Sequence, residues 1–425
     1  MRVLLLSHMY PNQVSPLSGI FVRQQAQALS ALGVKLAVIA PVPWVPRLLA
    51  GRSKWGGYPA VPEREEGGDF PVYHPRVLEL PRSCLFALYP RTYARGLKTV
   101  VTEQIRQGVD LIHAHVAHPD GAAALSFGRR FGIPVVVTIH GQDFAYTLKR
   151  GRMCANSVMR TVQEARRVIL VSDKLKNAYG LERWVQEPSK CRVIWNGVHL
   201  ETAGASPANG QKGELQGVSG GRPENTHIEH TNTENTNINA IKGKRILLSL
   251  GFLRPDKGHA IVIRALPELL REFPNLLYRV VGDGEERARL EQLTRELGLQ
   301  GQVEFMGALP HPLAMRQMAA CEIFVLPSWN EAFGVVYLEA MAHGKPVIGT
   351  LGEGIAGILT EEKVGLAVPP RDVRALTEAL RALLRDREAA GRMGVKGKAL
   401  VAAKFTWEYN ARQTLALYQE VVERG

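Results

Sequence analysis

The chain has 425 residues, 45% of them hydrophobic and 22% charged, and a formal net charge of +13. That length and mixture place it among globular proteins with two or three ordinary domains, each with enough material for its own core. No apolar run approaches the roughly 18 to 20 residues that cross a bilayer, and the apolar stretch in MRVLLLSHMY is too short for a secretory signal, so it reads as a buried first strand.

In chain order, Val3 to Ser7, Lys35 to Ala40, Leu111 to His115, Pro134 to Ile139, Val168 to Val171 and Arg192 to Trp195 read as strands. Gly19 to Leu32 and the basic stretch from Arg91 to Arg106 read as helices between them. Continuous Val/Ile/Leu strands separated by helices predict a parallel sheet covered on both faces. Residues 202–244 break this texture with few large apolar side chains and much Asn, Thr, Gly and Glu, which predicts a flexible polar linker or insertion. Its His227 and His230 have no supporting cysteine or carboxylate cluster for a metal site. A second alternating run follows, with strands at Arg245 to Leu250, Leu277 to Val281, Val303 to Met306, Ile323 to Leu326, Pro346 to Ile348 and Gly365 to Val368. The tail from Thr406 to Val422 reads as an amphipathic helix capped by Thr406. The expected division is therefore a first Rossmann-like domain at 1–201, the linker at 202–244, a second Rossmann-like domain at 245–403, and a helix at 404–425 that crosses back to the first.

Cys84, Cys154, Cys191 and Cys321 are far apart and form no metal-type pairs, which suits packing roles in a reduced, cytoplasmic setting. Much of the excess positive charge falls between Arg82 and Arg167, where it forms a solvated basic face or a peripheral contact with an anionic membrane. Zinc-finger spacing, basic-zipper heptads and an aromatic RNA-binding signature are all missing from the sequence, which argues against a nucleic-acid partner.

Parallel-sheet domains bind ligands outside the C-terminal edges of their strands, and the chemistry-bearing residues gather at those positions. After the first strand comes a loop ending at Gly19, which either brings backbone N–H groups to a phosphate or sugar or simply solves a tight turn. Later strands end in His113 and His115, then in His140, Gly141 and Asp143. In the second half GFLRPDKGHA carries Arg254 and Lys257, suited to neutralising a diphosphate. VVGDGEER supplies Gly282 and Gly284 for a close turn, but Arg287 stands where a dinucleotide fingerprint needs its third glycine.

The most informative segment is SWNEAFGVVYLEAMAHG, which carries Glu331 and Glu339. Were every step between them helical, the two carboxylates would lie about 80° and roughly 12 Å apart, too far for one small group. Asn330, Phe333 and Gly334 predict that the helix begins only near Gly334, so that its free N–H groups face an anion lying between the two carboxylates. A sugar, a diphosphate and a ribose joined in that order have about the right length.

NEAFGVVYLEA followed by HGKPVIGT, with RPDKG, VVGDGEER, VEFMGALP, IHGQD and WNGV, resembles the retaining GT-B glycosyltransferases of family four, over nearly the whole chain. The resemblance implies two doubly wound α/β domains facing a cleft, and transfer of a sugar from a UDP-sugar or GDP-sugar to a glycan or lipid-linked acceptor in cell-envelope or extracellular polysaccharide synthesis. It implies that Glu339 binds ribose hydroxyls, that Glu331 lies at the donor sugar, and that Arg254 and Lys257 hold the diphosphate. Backbone groups of Phe333, Gly334 and Val335 complete that pocket, with Gly282 close by. Gly19 falls near the donor phosphate, His140 near the transferred sugar, and His115 and Asp143 on the acceptor side. No cofactor is implied. With no D-x-D motif in the sequence, the positive side chains replace a metal in stabilising the leaving group. Two departures stand out: Phe252 occupies the place of a family arginine, and His199 that of an aspartate after WNGV. The alternatives are a nucleotide-sugar epimerase of the same fold and a noncatalytic nucleotide-sugar-binding scaffold.

Overall fold

The structure is a computed structural model that describes residues 1–423 apart from 17, 47–54, 66–67, 80–84, 178–180, 182–184, 186 and 201–242. The expected polar insert, with His227 and His230, and Cys84 lie outside the described residues.

The first half contributes β1 (Arg2–Leu6), β2 (Lys35–Ile39), β3 (Val42–Pro43), β4 (Arg64–Glu65), β5 (Val72–Tyr73), β6 (Arg76–Val77), β7 (Leu111–His115), β8 (Val135–Ile139), β9 (Arg167–Leu170) and β10 (Cys191–Val193). Eight of these form one sheet in the order β10-β9-β8-β7-β1-β2-β5-β4, and β3 pairs with β6 apart from it. Every pairing in the large sheet is parallel except β4 with β5. Strand alternation explains why it is covered on both faces. Leu4, Leu6, Ile112 and Ala114 pack toward Tyr93 and Leu97 of α2 (Tyr89–Arg106). Val3, Leu5, Leu36 and Val38 pack the other way, toward Val22 and Leu29 of α1 (Ile20–Ala31). Each such aliphatic side chain taken out of water contributes roughly 1.5 to 3 kcal/mol. The two-residue strands β3 to β6 leave no trace in the sequence pattern, because alternation needs a longer run to register.

The second half forms a six-stranded, wholly parallel sheet of β11 (Arg245–Leu250), β12 (Leu276–Val281), β13 (Val303–Gly307), β14 (Ile323–Val325), β15 (Val347–Thr350) and β16 (Gly365–Val368), ordered β13-β12-β11-β14-β15-β16. In both sheets the connections reverse direction beside the first strand, β1 or β11. A crevice therefore opens above the carboxyl ends of the neighbouring strands.

The last helix, Trp407–Glu423, lies on the first domain. Thr406 Oγ1 accepts the Tyr409 N–H at 3.1 Å at its start, and Gln25 of α1 donates to Asn410 Oδ1 at 2.7 Å. Tyr418 packs beside β7, its hydroxyl 2.6 Å from His113 Nδ1. Val198 donates to the Phe405 carbonyl at 2.9 Å, so the chain ahead of this helix is tied to the end of the first domain. Among the described residues, no helix is long and apolar enough to cross a membrane.

Candidate active site in the interdomain cleft

Glu331 and Glu339 stand where loop becomes helix. Gly334, at φ 85°, precedes the helix Val335–Ala342, so Glu331 lies on the loop and Glu339 within the helix. Asn330 also has a positive φ of 74°, which an asparagine tolerates better than most residues. In the first turn of that helix the Tyr337 N–H is taken by the Gly334 carbonyl at 3.1 Å, so the N–H groups of Val335 and Val336 are the ones a helix start leaves for an outside acceptor. The side chain of Phe333 turns inward, toward Phe405, so it leaves only its backbone on the outer face of this turn.

Lys257 Nζ is ion-paired with Glu331 Oε2, the two side chains being 20% and 18% exposed. Lys257 closes a short turn after β11 that Gly258 ends at φ 75°, where a Cβ would come within 2.3 Å of the Pro327 carbonyl oxygen. Arg254 donates from Nε to Asp256 Oδ1 at 3.0 Å and through its other arm to Asp256 Oδ2. That hydrogen-bonded carboxylate raises the arginine's pKa above its ordinary value. Both cations thus rest on acidic neighbours, Arg254 on Asp256 and Lys257 on Glu331. At the far end Glu339 Oε1 sits 3.1 Å from His311 Nε2.

Gly282 acts at one remove. At φ 139° its missing Cβ lets the Gly251 carbonyl oxygen approach to where a Cβ would lie 1.9 Å away, which brings the ends of β11 and β12 together. Phe252, in the place of the family arginine, is 70% exposed, and its carbonyl accepts the Arg254 N–H at 2.9 Å.

The first domain supplies the opposite wall. Gly19 precedes α1 at φ 56°, and a Cβ there would fall 2.0 Å from the Met9 carbonyl oxygen, so the loop after β1 folds over the start of the helix. Phe21 then stacks obliquely on His140, the ring centres 4.5 Å apart. His140 Nε2 lies 2.9 Å from His115 Nδ1, with the two rings nearly parallel. His115 in turn lies against His113, whose Nε2 is 2.7 Å from Thr138 Oγ1. Burial pushes His140 and His113 down to about 3, and it drives His115 well below its usual value. All three are neutral imidazoles at physiological pH, and His140 Nδ1 and His115 Nε2 are buried without a protein partner.

Two acceptor-side candidates are more enclosed than their positions in the sequence suggest. His115 is 1% exposed and meets the cleft only through His140. Asp143 is also 1% exposed, and its Oδ1 accepts the N–H groups of Ala117 and His118 at 3.0 and 3.2 Å, holding the loop after β7. Burial lifts Asp143 to about 7 against the opposing pull of those two N–H groups. Strand-edge position was the sequence signal for both, but it does not tell which way a side chain turns.

The two walls touch. Ser172, just beyond β9, donates to the Ala332 carbonyl at 2.6 Å, and Lys174 bridges Glu353 at 2.6 Å and the Glu331 carbonyl at 3.1 Å. Tyr146 receives Arg254 at 3.3 Å and Asn330 at 3.1 Å on its hydroxyl. These contacts bound a cavity of about 170 Å³ that includes His140, Tyr146, Lys174, Arg254, Lys257 and Glu331. Tyr146, Lys174, Glu353 and His311 were not singled out in the sequence. Lys174, Glu353 and His311 each fall within four residues of a strand end, after β9, β15 and β13, so the sequence carried a positional signal for these three but not for Tyr146.

Comparison with known proteins agrees with the two-domain fold. Residues 18–202 match the family described as Glycosyltransferase Family 4, and residues 231–400 match Glycosyl transferases group 1, one in each half of the chain. The chain is 29% identical over 385 residues to a Bacillus subtilis glycosyltransferase named for teichuronic acid biosynthesis, TuaC, covering 89% of this chain and 88% of that one. A sucrose-phosphate synthase from Thermosynechococcus elongatus superposes with a TM-score of 0.75 at 23% identity, covering 100% of both chains. Anabaena HepE in complex with UDP superposes with a TM-score of 0.69 at 18% identity, covering 99% of this chain and 100% of that one. With two Rossmann-like domains closing on one cleft, and a family match on each, the chain is a GT-B glycosyltransferase of the family 4/group 1 type.

Proposed function

We propose that the enzyme transfers a sugar, with retention of anomeric configuration, from a UDP-sugar or GDP-sugar to a hydroxyl of a glycan or lipid-linked acceptor in cell-envelope or extracellular polysaccharide synthesis. The observation that carries this reading is the cavity between the domains, where Arg254, Lys257 and Glu331 stand together with His140 of the first domain, and where the helix bearing Glu339 begins four residues after Glu331. As the bond from sugar to phosphate breaks, positive character grows at the anomeric carbon and negative charge grows on the departing diphosphate. The two cationic side chains and the helix N–H groups stabilise that negative charge, with no metal called upon. Glu339 binds the ribose hydroxyls, Glu331 positions the donor sugar, and Gly19 lets the loop after β1 approach the phosphate. His140 lies at the transferred sugar as a neutral hydrogen-bonding group. The acceptor attacks from the face the diphosphate leaves, and the leaving phosphate takes the acceptor proton. HepE, of the same fold, has been crystallised with UDP, with UDP and glucose, and with UDP-glucose, which supports a nucleotide sugar as donor.

A cytoplasmic location at the inner face of the plasma membrane fits a second surface feature. A groove of about 430 Å³ runs between α2, the helix Ala122–Phe131 and the helix Arg152–Glu164. Leu88, Ala94, Leu125 and Met153 line it, with Arg91 and Arg160 among its arginines. An aliphatic chain with an anionic head group matches that combination.

The test is incubation with UDP- and GDP-sugars, following nucleoside diphosphate release and reading the anomeric configuration of the product by proton NMR. Retained configuration supports the proposal. Inversion overturns the retaining assignment, an epimerised nucleotide sugar favours an epimerase, and binding without turnover favours a noncatalytic scaffold.

A further inference from the structure

Away from the donor site, the first domain holds a carboxylate–imidazole pair that the mechanism above does not use. His8 lies just beyond β1, and Asp120 lies 112 residues further on, in the loop after β7. Asp120 Oδ2 accepts two hydrogen bonds from this one residue, from the His8 backbone N–H at 3.1 Å and from Nδ1 at 2.7 Å. A carboxylate can only accept, so Nδ1 carries the proton and Nε2 of the neutral ring presents its lone pair. Asp120 is fully buried, whereas the His8 side chain is 34% exposed. Among the described residues Nε2 has no hydrogen-bond partner, and the exposed third of the side chain leaves the ring reachable from outside. The ring is braced from behind by Tyr93, edge-on at 6.3 Å, and Glu79 and Asp143 are the other charged groups around it. Burial alone would lower the pKa of His8, but Asp120, with smaller contributions from Glu79 and Asp143, raises it above the ordinary value.

The position matters as much as the pair. His8 follows β1 and His140 follows β8, with β7 between them, so both stand on the cleft edge of one sheet. Two strand spacings separate them, roughly 10 Å. Met9, next to His8, is the residue over which Gly19 folds. A group at His8 is therefore on the wall of the first domain, one step beyond the place assigned to the transferred sugar.

We infer that His8, oriented by Asp120, is an acceptor subsite that hydrogen-bonds through Nε2 to a hydroxyl of the acceptor sugar. The buried Asp120 carboxylate directly behind the ring disfavours a second anion there, so the subsite suits a sugar hydroxyl rather than a phosphate or carboxylate at that position. His8 contacts the acceptor, and Asp120 is a positioning residue. This inference rests on the glycosyltransferase reading for its acceptor.

The test uses the full chain with methyl glycosides of glucose, mannose and N-acetylglucosamine as probes. In wild type, the imidazole nitrogen signal of His8, identified by its loss in His8→Phe, should shift as one of these glycosides is added. With a cleavable nucleotide sugar present, His8→Phe should raise the KM of that glycoside tenfold or more and leave donor hydrolysis in its absence within twofold. His8→Asn, which can still hydrogen-bond, should recover part of the loss. An unchanged glycoside KM in a folded His8→Phe, or no signal shift with any probe, overturns the subsite. Absence of any nucleotide-sugar cleavage by wild type would instead sink the glycosyltransferase reading, and the NMR titration would still report on His8.

Discussion

Lys257 and Glu331 are 74 residues apart in the chain and form an ion pair at the mouth of the interdomain cavity. The lysine comes from the turn after β11 and the glutamate from the loop before the helix Val335–Ala342. Each holds the other where a donor would need both, one at the diphosphate and one at the sugar. Lys257→Ala should lower kcat/KM for donor cleavage by roughly 10²-fold or more, the scale seen when one preorganised transition-state donor is removed. Glu331→Gln should act mainly on kcat. Because either change strands its partner, the double variant should lose less than the product of the single losses. Strict multiplicativity in steady-state kinetics would contradict the coupling.

Glu339 lies 3.1 Å from His311 and is assigned to ribose hydroxyls. Glu339→Ala should weaken nucleoside diphosphate binding by roughly 10-fold or more, as expected for losing a hydrogen bond to a charged group. It should also erase discrimination between the ribonucleotide and its 2′-deoxy form. Calorimetric titration with both nucleotides checks this, and retained discrimination would move the ribose elsewhere.

Stability should depend on pH in a direction the buried groups set. His113 and His140 titrate at about 3 and His118 at about 4 when folded, against an ordinary value of 6.5, so the unfolded chain binds more protons between these limits. Their contribution is complete above pH 6.5 and is lost as pH falls toward 3. Asp143, raised from 3.8 to about 7, works the other way: its contribution is full below pH 3.8 and is lost as pH rises through 7. The histidines outnumber it, so the melting temperature should fall steeply from pH 6.5 to 4, at up to about 1.4 kcal/mol per unit for each uncompensated proton. Asp143→Asn should steepen that fall. A flat profile over this range would contradict the burial of the histidines.

Gly141 shows how closely the domains meet. At φ 105° it sits where a Cβ would come within 2.5 Å of the Ala332 Cβ across the cleft. Gly141→Ala should therefore push the walls apart and lower transfer more than 10-fold, while the strain of an alanine at this φ, about 1 to 3 kcal/mol, lowers the melting temperature by a few degrees without unfolding either core. Small-angle scattering should show a more open particle. Wild-type kinetics in this variant would mean that the closed arrangement is not the working one.

What could be read in advance was what sits together along the chain. The two parallel sheets followed from continuous apolar strands, and the helix start near Gly334 followed from the break between Asn330 and Val335. Arg254, Lys257 and Glu331 lie in two compact segments after strand ends, and all three line the interdomain cavity, whereas Glu339 lies further along the helix and outside its lining. The His8–Asp120 pair was not legible, because its members are 112 residues apart and meet only when β1 and β7 pair. Tyr146 was hidden for a related reason: its partners Arg254 and Asn330 belong to the other domain. His115 and Asp143 show the converse limit. Position at a strand end put them beside the site, but burial turned one onto His140 and the other onto the Ala117 and His118 N–H groups.

The most direct test of the assigned donor site is calorimetric titration of UDP, GDP and ADP into the wild-type protein and Lys257→Ala. Selective binding of one nucleoside diphosphate, weakened at least 10-fold in the variant, is the expected result and would name the donor base. Equal binding of that nucleotide by both proteins, or no binding of any by a folded wild type, would contradict the donor site placed between Arg254, Lys257, Glu331 and Glu339.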